Sequence, residues 1–399
     1  MLFVVASAAI KFLIIVLAFA MPLASLLTWM ERRQSAYSQD RLGPQQAQIR
    51  LFGRRVRLFG LLHILADGLK MFFKESFVPR AADKAVFKVA PIIGFATALM
   101  VLALVPFGPD LTTERWGVIP LQVARVDSGI LLVLAVTSLS VYGAALAGWA
   151  SNNRFALLGG LRASAQAISY EIALGLTLVG VLIAYGSTEL AAVVEAQKGV
   201  LYGFLPNWGI FVQPLAAVLF FTAAIAETKR APFDLPEGES EIIGYFVEYS
   251  SMGFGLFMLG EFVAIVVLAA LFTTLFLGGW QLPWVIGDTS VFLGLWTVEA
   301  SWVRAVAGML VFGIKVFLVC ALQLQLRWTL PRFRYDQLMH LGWKLLLPLA
   351  LVNIFVTAVL VWWDPTLDAL THVGLATIVF FGVVVIAGPR RRPAQVSVH

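Results

Sequence analysis

Acidic side chains cluster in one stretch of a chain that is otherwise strongly apolar. Six carboxylates lie between residues 227 and 248, at Glu227, Asp234, Glu237, Glu239, Glu241 and Glu248. Clustered carboxylates repel one another and raise each other's pKa, so that some of them can hold a proton near neutral pH. Pro232, Phe233 and Pro236 stiffen the stretch, which disfavours the alternative of a simple solvated loop. The stretch therefore predicts a proton relay.

Further ionisable residues fall inside apolar runs. We expect Glu248 and Glu261 to lie on one helix, and Glu241, seven residues before Glu248, to share nearly one helical face with it. A carboxylate at bilayer depth costs at least about 2.5 kcal/mol, so Glu261 is a functional candidate, and structural pairing with a cation is the alternative. Glu171, near the start of a predicted fourth helix, and Lys315, inside a predicted seventh, extend this proton path, because a buried Lys readily loses its charge.

The chain offers few ligands for a redox metal. It has one Cys and four His, namely Cys320, His63, His340, His372 and His399. Iron–sulfur clusters need several Cys, and a haem needs axial ligands that face inward from helices. We therefore expect this chain to bind no metal or cofactor of its own.

Helices that span a membrane must position these groups. Of the 399 residues, 60% are hydrophobic and 13% are charged, whereas soluble domains have about 45–50% and 25%. We expect an all-α polytopic transmembrane bundle, with 1–362 as one membrane domain of eight helices and 363–399 as a ninth helix and a basic tail. The predicted helices cover about 2–29, 86–107, 128–149, 165–186, 209–228, 245–276, 302–327, 344–362 and 369–388.

The distribution of Lys and Arg predicts the orientation of the chain. One set of loops and the C-terminal tail hold 21 of these residues, at 31–85, 149–164, 229–244, 327–343 and 389–399. The loops on the other side hold only Arg115, Arg125 and Lys198. By the positive-inside rule the first set is cytoplasmic, which puts the N-terminus outside and the C-terminus inside. The net charge of +6 thus reflects topology and not binding to nucleic acid.

The first cytoplasmic loop contains a predicted amphipathic helix between Gly60 and Glu75. Apolar residues recur there at helical spacing, at 62, 65, 69, 72 and 73, and polar residues occupy the other face, at 63, 67, 70 and 74. Such a helix lies in the membrane interface. It is either one lip of an entrance for a lipid-soluble substrate or a plain surface anchor.

Six motifs carry a family resemblance through their order and spacing. They are Glu31-Arg32-Arg33, Asp40 to Pro44, Ala66 to Lys70, Ser151 to Glu171, Ala226 to Tyr249 and Pro331 to Gln337. With these motifs the chain, up to about residue 345, resembles the H subunit of proton-pumping NADH:quinone oxidoreductase, respiratory complex I. The resemblance implies a subunit at the junction of the membrane and peripheral arms.

The resemblance also implies roles for individual residues. The subunit would enclose most of the tunnel along which quinone approaches an iron–sulfur cluster of a neighbour, and it would not oxidise NADH. Its tunnel residues would be Arg32, Arg41, Asp67, Lys70, Arg230, Phe233 and Asp234. Its proton path would comprise Glu171, Glu227, Glu237, Glu239, Glu241, Glu248 and Glu261, to which we add Lys315. The implied partners are peripheral-arm quinone-site subunits, small membrane subunits, antiporter-like subunits and lipid.

Two features depart from the family pattern. The chain adds the ninth helix with its tail, Arg390 to Arg392, and it has Phe246 where many relatives are expected to have a polar residue. Two other functions stay open at this point. A homologous membrane subunit of an energy-converting hydrogenase would reduce no quinone, and a stand-alone proton-coupled transporter would need no partner subunits. The choice between ubiquinone and menaquinone also stays open.

Overall fold

The computed structural model describes residues 2–51, 54–113, 117–203, 205–235, 244–283, 285–286, 289–290 and 301–387. Most of this chain is helical. The helices are α1 (Leu2–Ile14), α2 (Met21–Ser38), α3 (Leu62–Phe73), α4 (Lys84–Leu102), α5 (Gly129–Ala150), α6 (Arg154–Tyr185), α7 (Leu190–Ala196), α8 (Gly209–Val212), α9 (Pro214–Glu227), α10 (Ser251–Phe276), α11 (Ser301–Thr329), α12 (Tyr335–His340), α13 (Leu347–Trp363) and α14 (Asp368–Ala387). Two π-helical segments, Ile15–Ala20 and Leu341–Leu346, join α1 to α2 and α12 to α13.

The strands of the described chain form short antiparallel hairpins. The pairs are β1 (Ile49–Leu51) with β2 (Arg54–Val56), β3 (Leu111–Thr113) with β4 (Gly117–Ile119), β5 (Val200–Leu201) with β6 (Leu205–Pro206), and β7 (Val285–Ile286) with β8 (Thr289–Ser290). Each hairpin lies in a connection between helices, so the strands form no core of their own.

The long apolar helices confirm the predicted all-α polytopic bundle. Within the described residues, seven helices are long and apolar enough to cross a membrane. The shorter apolar helices α9 and α14 account for the remaining two predicted positions. Helix α10 is the central one, because it packs against α2, α4 and α11 and most of its residues are buried.

The amphipathic helix predicted in the first connection is present as α3. Leu65, Phe72 and Phe73 are exposed along it, as expected of a helix whose apolar side lies in the membrane interface. Its C-terminal end is fixed to the start of α10, because the Ser251 hydroxyl donates to the Met71 carbonyl at 2.9 Å.

Two helix boundaries differ from the sequence-based prediction, and each changes the position of an acid. Helix α6 begins at Arg154 and not near 165, because Asn153 caps it by accepting a hydrogen bond from the Phe155 amide. Glu171 therefore lies in the middle of α6 and not near its start. Helix α10 begins at Ser251 and not at 245, so Glu248 precedes it. The prediction that Glu248 and Glu261 share a helix was wrong.

The predicted fifth helix is interrupted. Helix α8 ends at Val212 and α9 begins at Pro214, with Gln213 between them at φ −135° and ψ 64°. Proline has no amide hydrogen and disfavours a helical conformation at the preceding residue, which accounts for the break.

Small residues bring the helices around the acids close together. A Cβ atom on Gly143 of α5 would lie 2.8 Å from the Cα atom of Gly94 on α4, and one on Gly148 would lie 2.5 Å from the Ala156 carbonyl oxygen on α6. Glycine allows such close backbone approach between membrane helices. The close packing holds α4, α5 and α6 as one layer.

Gly143→Leu should therefore force α4 and α5 apart. Overpacking of this kind destabilises by about 1–3 kcal/mol, and the loss should appear as a lower melting temperature of the protein in membranes or in detergent. Gly382→Leu on α14 is a matched control, since a Cβ atom there meets nothing within 4 Å. Equal melting temperatures for the two variants would contradict this assignment.

Candidate functional site

A buried ion pair joins Arg230 to Glu261. Nη2 of Arg230 lies 3.0 Å from Oε2 of Glu261, and the two side chains are 8% and 9% exposed. The guanidinium also stacks 4.4 Å from the centre of the Phe262 ring. Arg230 follows the end of α9, and Glu261 lies on α10. The structure thus shows Glu261 paired with a cation. Whether Glu261 can also transfer protons depends on the groups around this pair.

Glu31 on α2 extends this pair into a longer network. Its Oε2 lies 3.8 Å from Nη1 of Arg230, and its Oε1 lies 2.6 Å from Nη1 of Arg327 on α11. Two carboxylates and two guanidinium groups therefore alternate between helices α2, α10 and α11. Glu31 and Arg327 were absent from the predicted site residues. The Glu31-Arg32-Arg33 motif was a signal, but a single sequence does not show which distant residue pairs with Glu31.

A cavity of about 390 Å³, here called the arginine cavity, brings Arg32 and Arg41 together. Its other lining residues are Glu31, Ser35, Gly43, Pro44, His63 and Trp328. Nη1 of Arg32 lies 2.5 Å from Oδ2 of Asp67, which links α2 to α3. Three of the seven predicted tunnel residues thus lie in or beside one cavity. Lys70 is exposed on α3 and does not line it.

The loop after α9 holds the other predicted tunnel residues against α6 and the segment before α12. The Phe233 ring stacks on Phe333 at a centroid distance of 5.4 Å. Oδ2 of Asp234 lies 3.0 Å from Nη2 of Arg332. Gln166 of α6 donates to the Phe233 carbonyl at 2.9 Å. The loop is therefore fixed and buried up to Asp234.

A second cavity, of about 90 Å³ and here called the acidic cavity, is lined by Glu227 and Glu261. Tyr245 also lines it and donates a hydrogen bond of 3.2 Å to Oε1 of Glu261. The Thr137 hydroxyl lines it too and lies 3.3 Å from Oε1 of Glu171. Since a water molecule needs about 10–15 Å³ of such volume, this cavity has room for several beside its polar groups. Three predicted proton-path carboxylates therefore adjoin one hydratable space.

Glu248 lies in the segment before α10, and its side chain reaches the start of α6. Its Oε1 accepts a 2.6 Å hydrogen bond from Nδ2 of Asn153, the residue that caps α6. The adjacent Phe246 makes edge contacts with the rings of Tyr245 and Phe254. An aromatic cluster thus occupies the place where a polar residue was expected. Glu237, Glu239 and Glu241 lie outside the described residues.

Lys315 caps the C-terminal end of α10. Its Nζ donates to the carbonyls of Leu277, Gly279 and Gln281, at 2.7, 3.0 and 2.5 Å, and lies 4.2 Å from the Trp208 ring centre. A cation at this place complements the helix dipole. These partners are carbonyls and not the carboxylates of the acidic cavity, so a place for Lys315 in the proton path stays a prediction.

Lys11 has a comparable contact near the N-terminus. Its Nζ donates to the Pro120 carbonyl at 3.0 Å, which ties α1 to the connection before α5. Within the described residues, no group of three or more His, Cys, Asp and Glu could hold a metal ion.

Variants of Lys315 separate capping from proton transfer. Arg keeps the charge and several donors but cannot lose its proton, so Lys315→Arg should retain proton pumping if Lys315 is only a cap. Lys315→Met removes the donors and should lower the melting temperature of the assembly, by the equivalent of about 1–3 kcal/mol. A Lys315→Arg protein of normal stability that no longer pumps would instead place Lys315 in the path.

Asp234 should titrate close to physiological pH. Burial raises the pKa of Asp234 to about 6, although the adjacent Arg332 guanidinium lowers it. Because an exposed Asp titrates near pH 3.9, folding favours the protonated form, and this group's contribution to stability declines as the pH rises from about 4 to about 6. A protonated-carboxyl infrared band should disappear around pH 6 and be missing from Asp234→Asn. Identical spectra of both proteins across this range would contradict the shift.

The fold and its charge network define a class, namely polytopic helical membrane proteins with buried ion pairs beside polar cavities. Comparisons with known proteins give the family. The model of the NADH dehydrogenase family matches residues 10–358, and the chain belongs to this family.

Curated relatives agree with this assignment. The chain is 46% identical over 336 residues to an H subunit of the NADH-quinone oxidoreductase of Geobacter metallireducens, covering 84% of this chain and 91% of the relative. It is 46% identical over 346 residues to the corresponding protein of Thermomicrobium roseum, covering 86% and 92%. That of Flavobacterium psychrophilum is 41% identical over 351 residues, covering 87% and 95%. The resemblance seen in the motifs is confirmed, and α14 lies beyond the part matched by the family model.

Proposed function

We propose that this chain is the membrane subunit of a proton-translocating NADH:quinone oxidoreductase that forms most of the quinone-access tunnel and couples quinone reduction to proton translocation. The Glu31–Arg230–Glu261 network is the observation that carries the proposal. Glu31 lines the arginine cavity and Glu261 lines the acidic cavity, while Arg230 contacts both carboxylates. A change of charge in one cavity can therefore reach the other through one guanidinium.

The arginine cavity suits a quinone that is being reduced. A quinone is neutral, but it gains negative charge as two electrons arrive from an iron–sulfur cluster of a neighbouring subunit. Arg32 and Arg41 would stabilise that charge before two protons complete the quinol. Phe233 and Asp234, with Lys70 and Asp67, would line or brace the remaining tunnel wall. This chain would then form part of the quinone site, and it would not bind NADH.

Coupling follows from competition for Arg230. Negative charge in the arginine cavity attracts its guanidinium and weakens its pair with Glu261. Two unit charges about 4 Å apart interact by about 4 kcal/mol at an effective dielectric constant of 20. A change in proton occupancy by a factor of ten needs only about 1.4 kcal/mol. Partial loss of the pair is therefore enough to let Glu261 take up a proton from the acidic cavity.

The carboxylates around this cavity would pass the proton on. Glu227 shares the cavity with Glu261, and Glu171 adjoins it through Thr137. Glu248 would belong to the entry of the path, at the start of α6. We assign Glu237, Glu239 and Glu241 to the same acidic funnel, from which antiporter-like subunits would receive the signal. Lys315 is the candidate with the weakest support, because its hydrogen bonds go to backbone carbonyls and not to the carboxylates of the path.

The orientation proposed for the chain puts the N-terminus outside and the C-terminus in the cytoplasm of a bacterial plasma membrane. Both charge clusters then lie towards the cytoplasmic side. This is the side on which the peripheral-arm subunits would bind and from which protons would enter.

Two variants of the acidic cavity test the coupling. Glu261→Gln leaves Arg230 without its closest carboxylate and should lower quinone-coupled proton pumping at least tenfold in the assembled complex, since breaking a buried pair costs about 3–5 kcal/mol. Tyr245→Phe removes only the hydroxyl donor and should lower pumping several-fold while the complex still assembles. Glu195→Gln is the control, because Glu195 pairs with Lys198 at the surface. Full pumping in assembled complexes of both cavity variants would refute the coupling.

The alternatives predict different assemblies and reactions. Blue-native electrophoresis of a detergent extract should show the chain in a large complex, whereas a free chain of 399 residues would favour a stand-alone transporter. Quinone reductase activity of that complex separates it from an energy-converting hydrogenase.

A further inference from the structure

The break between α8 and α9 carries a buried polar side chain into the apolar bundle. Gln213, at the break, is 3% exposed. The next residue, Pro214, has no amide hydrogen, so the helical hydrogen-bonding pattern cannot continue through it. Non-helical backbone at membrane depth persists only where other groups in the protein or water satisfy its polar atoms. The surroundings of Gln213 are therefore informative.

Polar groups of α6 and α13 meet Gln213 at the break. Its Nε2 donates to the Gly180 carbonyl of α6 at 3.0 Å and lies 3.1 Å from the Thr357 hydroxyl of α13. Asn353 lies one helical turn before Thr357, and the two are 8% and 1% exposed. Three buried polar side chains thus surround one point, near the C-terminal end of α6.

Two atoms of this cluster have unused hydrogen-bonding capacity. Oε1 of Gln213 and Nδ2 of Asn353 are buried and have no hydrogen-bond partner among the described residues. Leaving a buried polar group unpaired costs about 1–3 kcal/mol. Both atoms lie close to the same point, because a Cβ atom on Gly180 would be 3.3 Å from Oε1 and 3.0 Å from Nδ2. The missing side chain of Gly180 leaves this point accessible to both.

The chemistry of the two atoms selects the ligand. Oε1 of Gln213 is an acceptor and Nδ2 of Asn353 is a donor, so a molecule that bridges them must both donate and accept. Water does both. A metal cation would face the positive end of the Asn353 amide and would have no carboxylate in this cluster to balance its charge. We propose that Gln213 and Asn353 hold an ordered water molecule at the break between α8 and α9, while Thr357 accepts a hydrogen bond from Nε2 of Gln213 and fixes its amide.

Helix α14 closes the neighbouring side of the break. A Cβ atom on its Gly374 would lie 2.4 Å from the Phe211 carbonyl oxygen and 2.9 Å from that of Val212. The backbone of α14 therefore presses directly on the end of α8, and the adjacent Leu370 and Thr371 are buried at 4% and 1% exposure. This helix, which lies beyond the family-matched residues, shields the break from lipid and keeps its hydration site internal.

The test uses the assembled complex and a density map in which ordered water is visible. The native map should show a peak within hydrogen-bonding distance of both Oε1 of Gln213 and Nδ2 of Asn353. Gly180→Ala puts a methyl group 3.0 Å from Nδ2, so it should remove the peak and lower the melting temperature. Gly175→Ala is the matched control on the same helix, because its Cβ atom would have its nearest contact at 3.6 Å, and it should keep both.

Two outcomes would overturn the proposal. One is a native map in which the Gln213 and Asn353 amides bond directly with no density between them. The other is a Gly180→Ala complex that keeps the peak. The native map alone decides the matter if Gly180→Ala does not assemble. Neither outcome bears on quinone reduction, so the hydration site and the proposed function succeed or fail separately.

Discussion

The structure depends on a constraint that a charge in an apolar bundle must have an opposite charge or hydrogen-bonding groups beside it. Arg230 would be prohibitively costly at 8% exposure by itself. Glu261 and Glu31 meet it from two directions, and Arg327 in turn neutralises Glu31. The network therefore fixes the relative positions of α2, α10, α11 and the loop after α9. Each charge is stable only while its neighbours stay in place, because an unpaired buried charge is costly.

Packing of small residues complements this constraint. Gly94 and Gly143 let α4 and α5 touch along their backbones. Helix α10 packs against α4 and carries Glu261, which lines the acidic cavity. The lining of the acidic cavity includes hydroxyl groups that donate hydrogen bonds to a carboxylate or to backbone carbonyls. The same arrangement of α4, α5 and α10 thus gives close packing between α4 and α5 and a space for water beside Glu261.

The two ends of the bundle satisfy buried polar groups by different means. In the first half of α10 the partners are ions, as in the pair of Glu261 with Arg230. Near its end the partners are mostly neutral, since Lys315 donates to backbone carbonyls and Gln213 contacts a carbonyl and a hydroxyl. An end held by ion pairs thus adjoins an end held mainly by neutral hydrogen bonds, with α9 and α10 as connections between them.

The sequence by itself determined the class, the order of the helices and the family. Apolar runs near the length of a bilayer crossing, the alternating faces of α3 and the six motifs are local properties, so a single chain reveals them. It also placed Arg32 and Arg41 in one group, and the structure has them in one cavity.

Only the tertiary structure decided which charges meet. Glu31 and Arg230 are about 200 positions apart in the chain, and nothing in the pattern around either identifies the other. Glu248 lies outside the predicted helix because α10 begins only at Ser251, where the side chains of Ser251 and Glu248 bond to α3 and to the cap of α6. Glu171 lies in mid-helix because α6 begins at the Asn153 cap. Hydrophobic periodicity reports which face of a helix avoids water, whereas the pairing of buried charges depends on how several helices pack together.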